Sequence, residues 1–387
     1  SIGSVGKYQT GMIRFNRPFI TGREAEHIAK AIDSGHLSGD GPYTKLDQAF
    51  FAKRYGFSNN LLTTSGTDAL EMAAILADIV PGDEVIMPSF TFVSSANAFI
   101  LRGAKVIFID SLVDHPNMDH HQLEDAITPW TKAIVPMHYG GVACEMDTIM
   151  AIAEKHSILV VEDAAHSIDS YYKGRPLGSI GHLSSFSFHE TKNIISGEGG
   201  LFVVNDQRLV KRAEVIREKG TDRSAFFRGE IDKYGWIDIG SSFLASEITA
   251  AFLYAQLMEL DAIQSMRKHI WDAYSNGLAS VARYGYGVPS IPDGCTNNAH
   301  LYYLICPSLE HRSRLIDHLN GKGIRAVFHY QPLHASKFNV AHNPGQRELP
   351  NATRYGDRLV RLPLFAGLSA QEQGSIIGEV LEFIEHD

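Results

Sequence analysis

Cysteine is scarce in this chain. Of 387 residues only Cys144, Cys295 and Cys306 carry a thiol, an odd number without paired spacing, which argues against a disulfide framework or a zinc site and suits a reducing cytoplasm. Long apolar runs are missing too: nothing approaches the roughly 18 residues of a membrane helix, and no opening stretch reads as a secretion signal. Positive charge is outweighed, with 35 Lys and Arg against 44 Asp and Glu for a net charge of -9. Neither nucleic acid nor an anionic membrane is therefore expected as a partner. No G-x-G-x-x-G follows a strand and no glycine-lysine pair opens a helix, which removes the dinucleotide fingerprint and the P-loop and leaves room for one phosphate. The histidines of His120-His121 and of His329 to His334 lack carboxylate or cysteine neighbours at ligand spacing, so no metal is expected.

What is present is ordinary for a large globular protein: 44% hydrophobic and 20% charged residues, and enough length for two domains. Residues 1–11 are small, polar and glycine-rich and read as an expression scar, with Met12 the expected native start. From there a helix is expected over Arg23 to Ser34, a breaker-rich loop through Tyr43, and a helix from Thr44 to Tyr55. Strands at Leu61 to Ser65, Glu84 to Pro88, Lys105 to Asp110, Lys132 to Met137 and Ile158 to Asp163 then alternate with helices at Thr67 to Ala77, Ser94 to Arg102, Asp119 to Ile127 and Met146 to His156. Buried apolar strands alternating with amphipathic helices imply an α/β fold, a mostly parallel sheet covered on both faces. A long helical stretch from Ser246 to Leu278 leads to a smaller α+β domain. The expected division is 12–260 and 261–387.

In such sheets ligands bind beyond the carboxyl ends of the strands, which makes the residues there informative. Ser65-Gly66-Thr67 stands where the first strand enters its helix, either as a phosphate cradle or as an ordinary N-cap. Asp163 ends the most apolar strand, where a carboxylate needs a partner: a protonated pyridine nitrogen, a salt bridge or a cap. His166 can lie against a ring or satisfy a carbonyl, and Phe92 can stack on a flat cofactor or belong to the core. Lys192, in Ser185-Phe186-Ser187-Phe188-His189-Glu190-Thr191-Lys192 before a glycine cluster, is a surface lysine or a desolvated amine able to attack a carbonyl.

Taken in order, Ser65-Gly66-Thr67, Phe92, Glu162-Asp163-Ala164-Ala165-His166 and Ser187-Phe188-His189 through Lys192 resemble the sugar aminotransferases of the DegT/DnrJ/EryC1/StrS family. The resemblance runs from Met12 to the C-terminus. It implies a fold-type-I architecture, pyridoxal 5'-phosphate as cofactor, pyridoxamine 5'-phosphate as its aminated form, and a homodimer with shared active sites. By that resemblance Lys192 bonds the cofactor and then serves as base, Asp163 binds the pyridine nitrogen, and Phe92 and His166 flank the ring. Ser65, Gly66, Thr67 and Ser187 hold the phosphate. Many members place an asparagine of the second subunit on that phosphate; Leu244 stands in its register, so Ser242 or Ser241 is the expected substitute. Tyr43, Lys233, His329 and Tyr330 are expected on the substrate side, with the segment from Arg223 to Trp236 crossing to the neighbouring subunit. Pro81 to Ser89, Tyr139 to Asp147, Phe188 to Asn193 and Asp238 to Ser242 resemble most the members that aminate dTDP-4-keto-6-deoxy-D-glucose with L-glutamate to the galacto-configured 4-amino sugar, for glycans such as enterobacterial common antigen. The gluco epimer and a 3-keto substrate are the alternatives, and a non-catalytic nucleotide-sugar scaffold is a remote one.

Overall fold

In the computed structural model the described residues are 11–343, 345 and 347–386; the reading of residues 1–11 as an expression scar lies, but for Gly11, outside them. Nine strands come first: β1 (Asn60–Thr63), β2 (Glu84–Pro88), β3 (Lys105–Ile109), β4 (Thr131–Ile134), β5 (Leu159–Asp163), a small hairpin of β6 (Tyr171–Tyr172) and β7 (Arg175–Pro176), β8 (Leu183–Ser187) and β9 (Gly200–Val204). Seven of them form one sheet in the order β1-β9-β8-β5-β4-β2-β3. Its pairs are parallel from β8 to β3, and β9 runs antiparallel to both neighbours. The strands β2, β8 and β9 are buried at nearly every position, as expected for a sheet with helices on both faces. A second sheet, β10 (Tyr302–Ile305), β12 (Leu359–Leu362) and β11 (Val327–Phe328) in that order, has its own core around Tyr274, Leu304, Val360 and Ile376. Ile13 bridges to Ile324 and packs on that second core.

Two expected helices differ. Asp119 to Ile127 forms two short 3-10 turns, His120–Gln122 and Glu124–Ala126. The Asp119 side chain accepts from His121 N, 3.1 Å, a local bond that competes with helix propagation. The stretch Ser246 to Leu278 is two helices, Glu247–Met258 and Leu260–Gly277, because Glu259 leaves helical geometry at φ -108°, ψ 13°. That break lets Leu253 and Leu257 pack into the core under the large sheet while Ile270 and Tyr274 enter the core of the second. Among the described residues no helix is long and apolar enough to cross a membrane.

The helix Gly66–Leu76 is set by close backbone approach. Ser65 caps it, its Oγ accepting from Asp68 N at 3.0 Å, and the helix start lies directly against β8 and β9. A Cβ on Gly66 would stand 3.0 Å from Ser187 Cβ, and one on Gly200 would stand 2.6 Å from Gly66 N and closer still to the Ser65 carbonyl. A side chain at Gly200 cannot enter without moving backbone, and one at Gly66 needs its neighbours to give by a few tenths of an ångström. Gly200→Ala is expected to lower stability by roughly 1–3 kcal/mol and to weaken phosphate-bearing ligands as the helix start is pushed off the sheet. Thermal unfolding and ligand titration of this variant check it; an unaltered midpoint would mean that the contact relaxes freely.

Candidate active site

A cavity of about 720 Å³ opens at the carboxyl ends of β2, β5 and β8, between the large sheet and the smaller one. The helix start reaches it through Ser65, Gly66 and Thr67. Ser65 is committed to the cap, and Thr67 Oγ1 donates to Ser94 Oγ at 2.8 Å. The N–H groups of Gly66 and Thr67 have no partner among the described residues, so they and Ser187, beside Gly66, present donors to an anion.

Asp163 ends β5 and is buried. Its carboxylate accepts from Ser95 Oγ at 2.6 Å and from Ala165 N at 3.2 Å, which fixes its orientation while it lines the cavity. Lys192 sits in the turn after β8 and lines the same cavity, its backbone N–H donating to His189 O at 2.9 Å. Burial of its amine, with the charge of Arg361 adding and Asp163 opposing, brings its pKa down to about 8. An amine in that state is a competent nucleophile near neutral pH.

Aromatic rings line one wall. His166 stacks on His300 with centroids 4.1 Å apart, and His329 on Tyr330 at 3.6 Å. Gly140 N donates to His166 Nδ1 at 3.2 Å, which puts the imidazole hydrogen on Nε2, 3.4 Å from the Tyr330 hydroxyl. Burial first, then the nearby cations, holds His166, His300 and His329 well below the ordinary histidine value; these imidazoles are neutral. Tyr330 has φ +36°, a conformation that non-glycine residues adopt rarely and that concentrates at functional sites. Phe92 is 54% exposed, at the cavity mouth, with its ring 6.2 Å from Tyr330.

Of the expected site residues, Ser65, Gly66, Thr67, Phe92, Asp163, His166, Ser187, Lys192, His329 and Tyr330 all line this one cavity. Tyr43 does not: it is buried among helices, its hydroxyl 3.0 Å from His27 Nδ1 and its ring against Tyr254, because apolar packing captured an aromatic taken for a loop residue. Lys233 and Ser242 are exposed and lie outside the cavity of their own chain. Arg228, in the same loop as Lys233, is held by Glu214 and Glu230. Sequence reasoning missed Ser95, His300 and Arg361. Ser95 lies one turn past Phe92 and carried no signal by itself; Arg361, a cation between Val360 and Leu362 in an apolar strand, did. Among the described residues no group of three or more His, Cys, Asp or Glu is placed to hold a metal.

A nucleophilic amine, a fixed carboxylate, a helix start for one phosphate and flanking rings are the donor set a pyridoxal phosphate requires, and the cavity has room for it beside a sugar. Fold and site together define a fold-type-I, pyridoxal-phosphate-dependent aminotransferase. The chain belongs to the DegT/DnrJ/EryC1/StrS aminotransferase family, whose model matches residues 18–381. It is 32% identical over 379 residues, 96% of this chain and 97% of the relative, to the spore coat polysaccharide biosynthesis protein SpsC of Bacillus subtilis. The sugar aminotransferase Spr1654 of Streptococcus pneumoniae, solved in its PMP form, superposes with a TM-score of 0.90 at 28% identity, covering 97% of this chain and 98% of that one. DesV of S. venezuelae, solved in complex with a ketimine intermediate, gives 0.87 at 30% identity over 97% of this chain and 99% of that one.

The lowered value for Lys192 has a direct consequence in the cofactor-free protein. Only the unprotonated amine reacts with electrophiles, so its reactive fraction rises with pH through the folded pKa. Reductive methylation of Lys192, followed by peptide mass spectrometry, is expected to be half-maximal near pH 8, where an exposed lysine needs a pH of about 10.4. A midpoint above 10 would show that the amine is solvated.

Proposed function

We propose that this enzyme transfers the amino group of L-glutamate to C4 of dTDP-4-keto-6-deoxy-D-glucose in the cytoplasm, giving dTDP-4-amino-4,6-dideoxy-D-galactose for a surface glycan, with 2-oxoglutarate as co-product. The observation that carries the transamination is the meeting of the Lys192 amine and the Asp163 carboxylate in one cavity beside an open helix start. The choice of sugar rests on the four stretches from Pro81 to Ser242 that resemble the 4-aminating members. A polysaccharide role is supported by the similarity to SpsC, named for spore coat polysaccharide biosynthesis.

When bound, pyridoxal phosphate supplies an aldehyde that captures amines and a ring that takes up the electron pair left when a Cα proton departs. Asp163, kept aimed by Ser95 Oγ and Ala165 N, would keep the ring nitrogen protonated, and Gly66, Thr67 and Ser187 would hold the phosphate. Phe92 and His166 would confine the ring. The Lys192 amine would take the proton from Cα of the amino donor and, in the return half, deliver a proton to C4 of the sugar. The face from which Lys192 does so fixes the C4 epimer.

Lys192→Ala is expected to reduce turnover roughly 1000-fold or more while the cofactor still binds through its phosphate and Asp163. The reaction itself is tested by incubating the protein with L-glutamate, the keto sugar nucleotide and cofactor and assigning the product by NMR. Axial nitrogen at C4 is expected; an equatorial one would give the gluco epimer, and no product would overturn the substrate.

The same reading includes a two-fold homodimer. Phe227, Trp236 and Ile237 are 68%, 83% and 61% exposed, apolar side chains with little reason to face water, and Lys233 and Ser242 are exposed outside the cavity of their own chain, free to serve that of a second copy. Mixing Lys192→Ala subunits with subunits substituted throughout Arg223 to Trp236 is expected to restore one working site per mixed dimer. Mixed dimers without activity would show that each chain completes its own site.

A further inference from the structure

The three imidazoles of the cavity wall differ in what they present to it. Gly140 N donates to His166 Nδ1, so His166 carries its hydrogen on Nε2. The buried Tyr139 hydroxyl finds no acceptor among the described residues except His329 Nδ1, at 2.7 Å, so His329 is an Nε2–H donor too. His300 is the opposite tautomer. Asn193 Nδ2 lies 2.8 Å from the backbone oxygen of Asn298, an atom that can only accept. The Asn193 amide is thereby fixed, and its Oδ1 accepts from His300 Nδ1 at 2.8 Å. The hydrogen of His300 is therefore on Nδ1, and its Nε2 offers a bare lone pair without a partner among the described residues. Several contacts hold that ring in place. Asn298 Nδ2 donates to His166 O and Ile168 O, so Asn298 Oδ1 accepts from His300 N at 3.1 Å. Arg267 donates to the carbonyls of Ala299 and His300, and Ala299 has φ +52°, a conformation rare outside glycine and concentrated at functional sites. His300 is 4% exposed and lines the cavity. A buried acceptor held this firmly and left unpaired calls for a donor.

Resting on the aminotransferase reading, we propose that His300 is a positioning residue for Lys192, its Nε2 accepting one N–H of the lysine amine whenever that amine is free of the cofactor. The Lys192 side chain lines the same cavity, its amine likewise has no partner among the described residues, and the next residue, Asn193, is the one that fixes the His300 ring. After burial and His166, the Lys192 charge is the next influence on His300, which puts the two groups within electrostatic reach. An imidazole held well below the ordinary histidine value does not take the proton from an amine; it orients the amine. One N–H directed to His300 restricts rotation about the Cε–Nζ bond, so the lone pair that serves as base is aimed before the proton moves. Once the amine has become an ammonium, the same bond is charge-assisted and stronger. His166 and His329 cannot substitute, because each turns an N–H to the cavity and an N–H facing an ammonium repels it.

Nitrogen-15 NMR of histidine-labelled protein reads the contact itself, without cofactor and with pyridoxamine 5'-phosphate bound, two states in which Lys192 is free. His300 Nε2 is expected to be unprotonated and to shift on Lys192→Met, which removes the donor and keeps the bulk of the side chain. A protonated Nε2, or a resonance that does not move, would overturn the proposal. The acceptor favours the ammonium, so its loss lowers the lysine's pKa. In His300→Asn, whose amide N–H still serves Asn193, the midpoint for reductive methylation of Lys192 is expected to fall from near pH 8 by about one unit. Asp163, Arg361, His166 and His329, the other charged or titratable groups around the amine, stay as they are; an unchanged or raised midpoint would overturn the proposal. In the holoenzyme His300→Asn is expected to lower kcat about tenfold in both half-reactions, because Lys192 serves each, with KM for L-glutamate within about twofold of wild type. A loss confined to one half-reaction, or carried by KM, would overturn the positioning role. A wild-type holoenzyme whose cofactor band ignores amino acids would overturn the aminotransferase reading and leave the NMR contact standing.

Discussion

The carboxylate of Asp163 is held at the end of β5 by Ser95 Oγ and Ala165 N, and most of the site is arranged around that buried charge. A carboxylate at the end of a strand as apolar as Leu159 to Val161 is retained only with donors to satisfy it. The helix Val93–Ile100 supplies one of them, which ties the position of Phe92, its N-cap residue, to the same anchor. Next to it, β8 carries Ser187 toward the helix start and leads into the turn of Lys192. A single carboxylate, oriented by two hydrogen bonds, thus sets the relative placement of Phe92, the open helix start and the Lys192 amine.

The opposite wall follows a different rule. Its imidazoles are neutral because burial and nearby cations both disfavour the imidazolium, so the wall offers stacking surface and directional hydrogen bonds without adding charge. Asn193 fixes one end of it: its amide donates to Gln264 and to Asn298 O, leaving its oxygen for His300 Nδ1 at 2.8 Å. The residue after Lys192 therefore orients a ring contributed from the far side of the chain, and the smaller sheet cannot shift without disturbing it. The cavity is consequently a joint product of both sheets, with Lys192 and Asp163 from one and Arg361 from the other.

Much of this was legible before any coordinates. The alternation of apolar strands with helices up to Asp163 specified an α/β layer, because burial on both faces of a parallel strand leaves an unbroken apolar run. Lys192, Asp163, His166, Phe92 and Ser65-Gly66-Thr67 stand at or just past strand ends, where the rule for ligand placement applies, and all of them line one cavity. That Gly200 must lack a Cβ because it meets the backbone of Ser65 and Gly66 is visible only in the folded chain.

Other features depended on contacts distant in sequence. Tyr43 looked like a loop residue and is core, since only the packing of His27 and Tyr254 around it determines its burial. The expected helix near Asp119 became two 3-10 turns, and the long helix broke at Glu259, because local bonds and the division between two cores outweigh periodicity within one segment. Ser95, His300 and Arg361 acquire meaning only beside Asp163, His166 and Lys192, from which 68, 134 and 169 residues of chain separate them. The sequence by itself determined the layer architecture, the strand-end chemistry and the scarcity of thiols, all of which are local or periodic properties. Which side chains face one another across the cavity was decided by tertiary structure alone, because a pairwise distance between remote residues is set by the packing of every element between them.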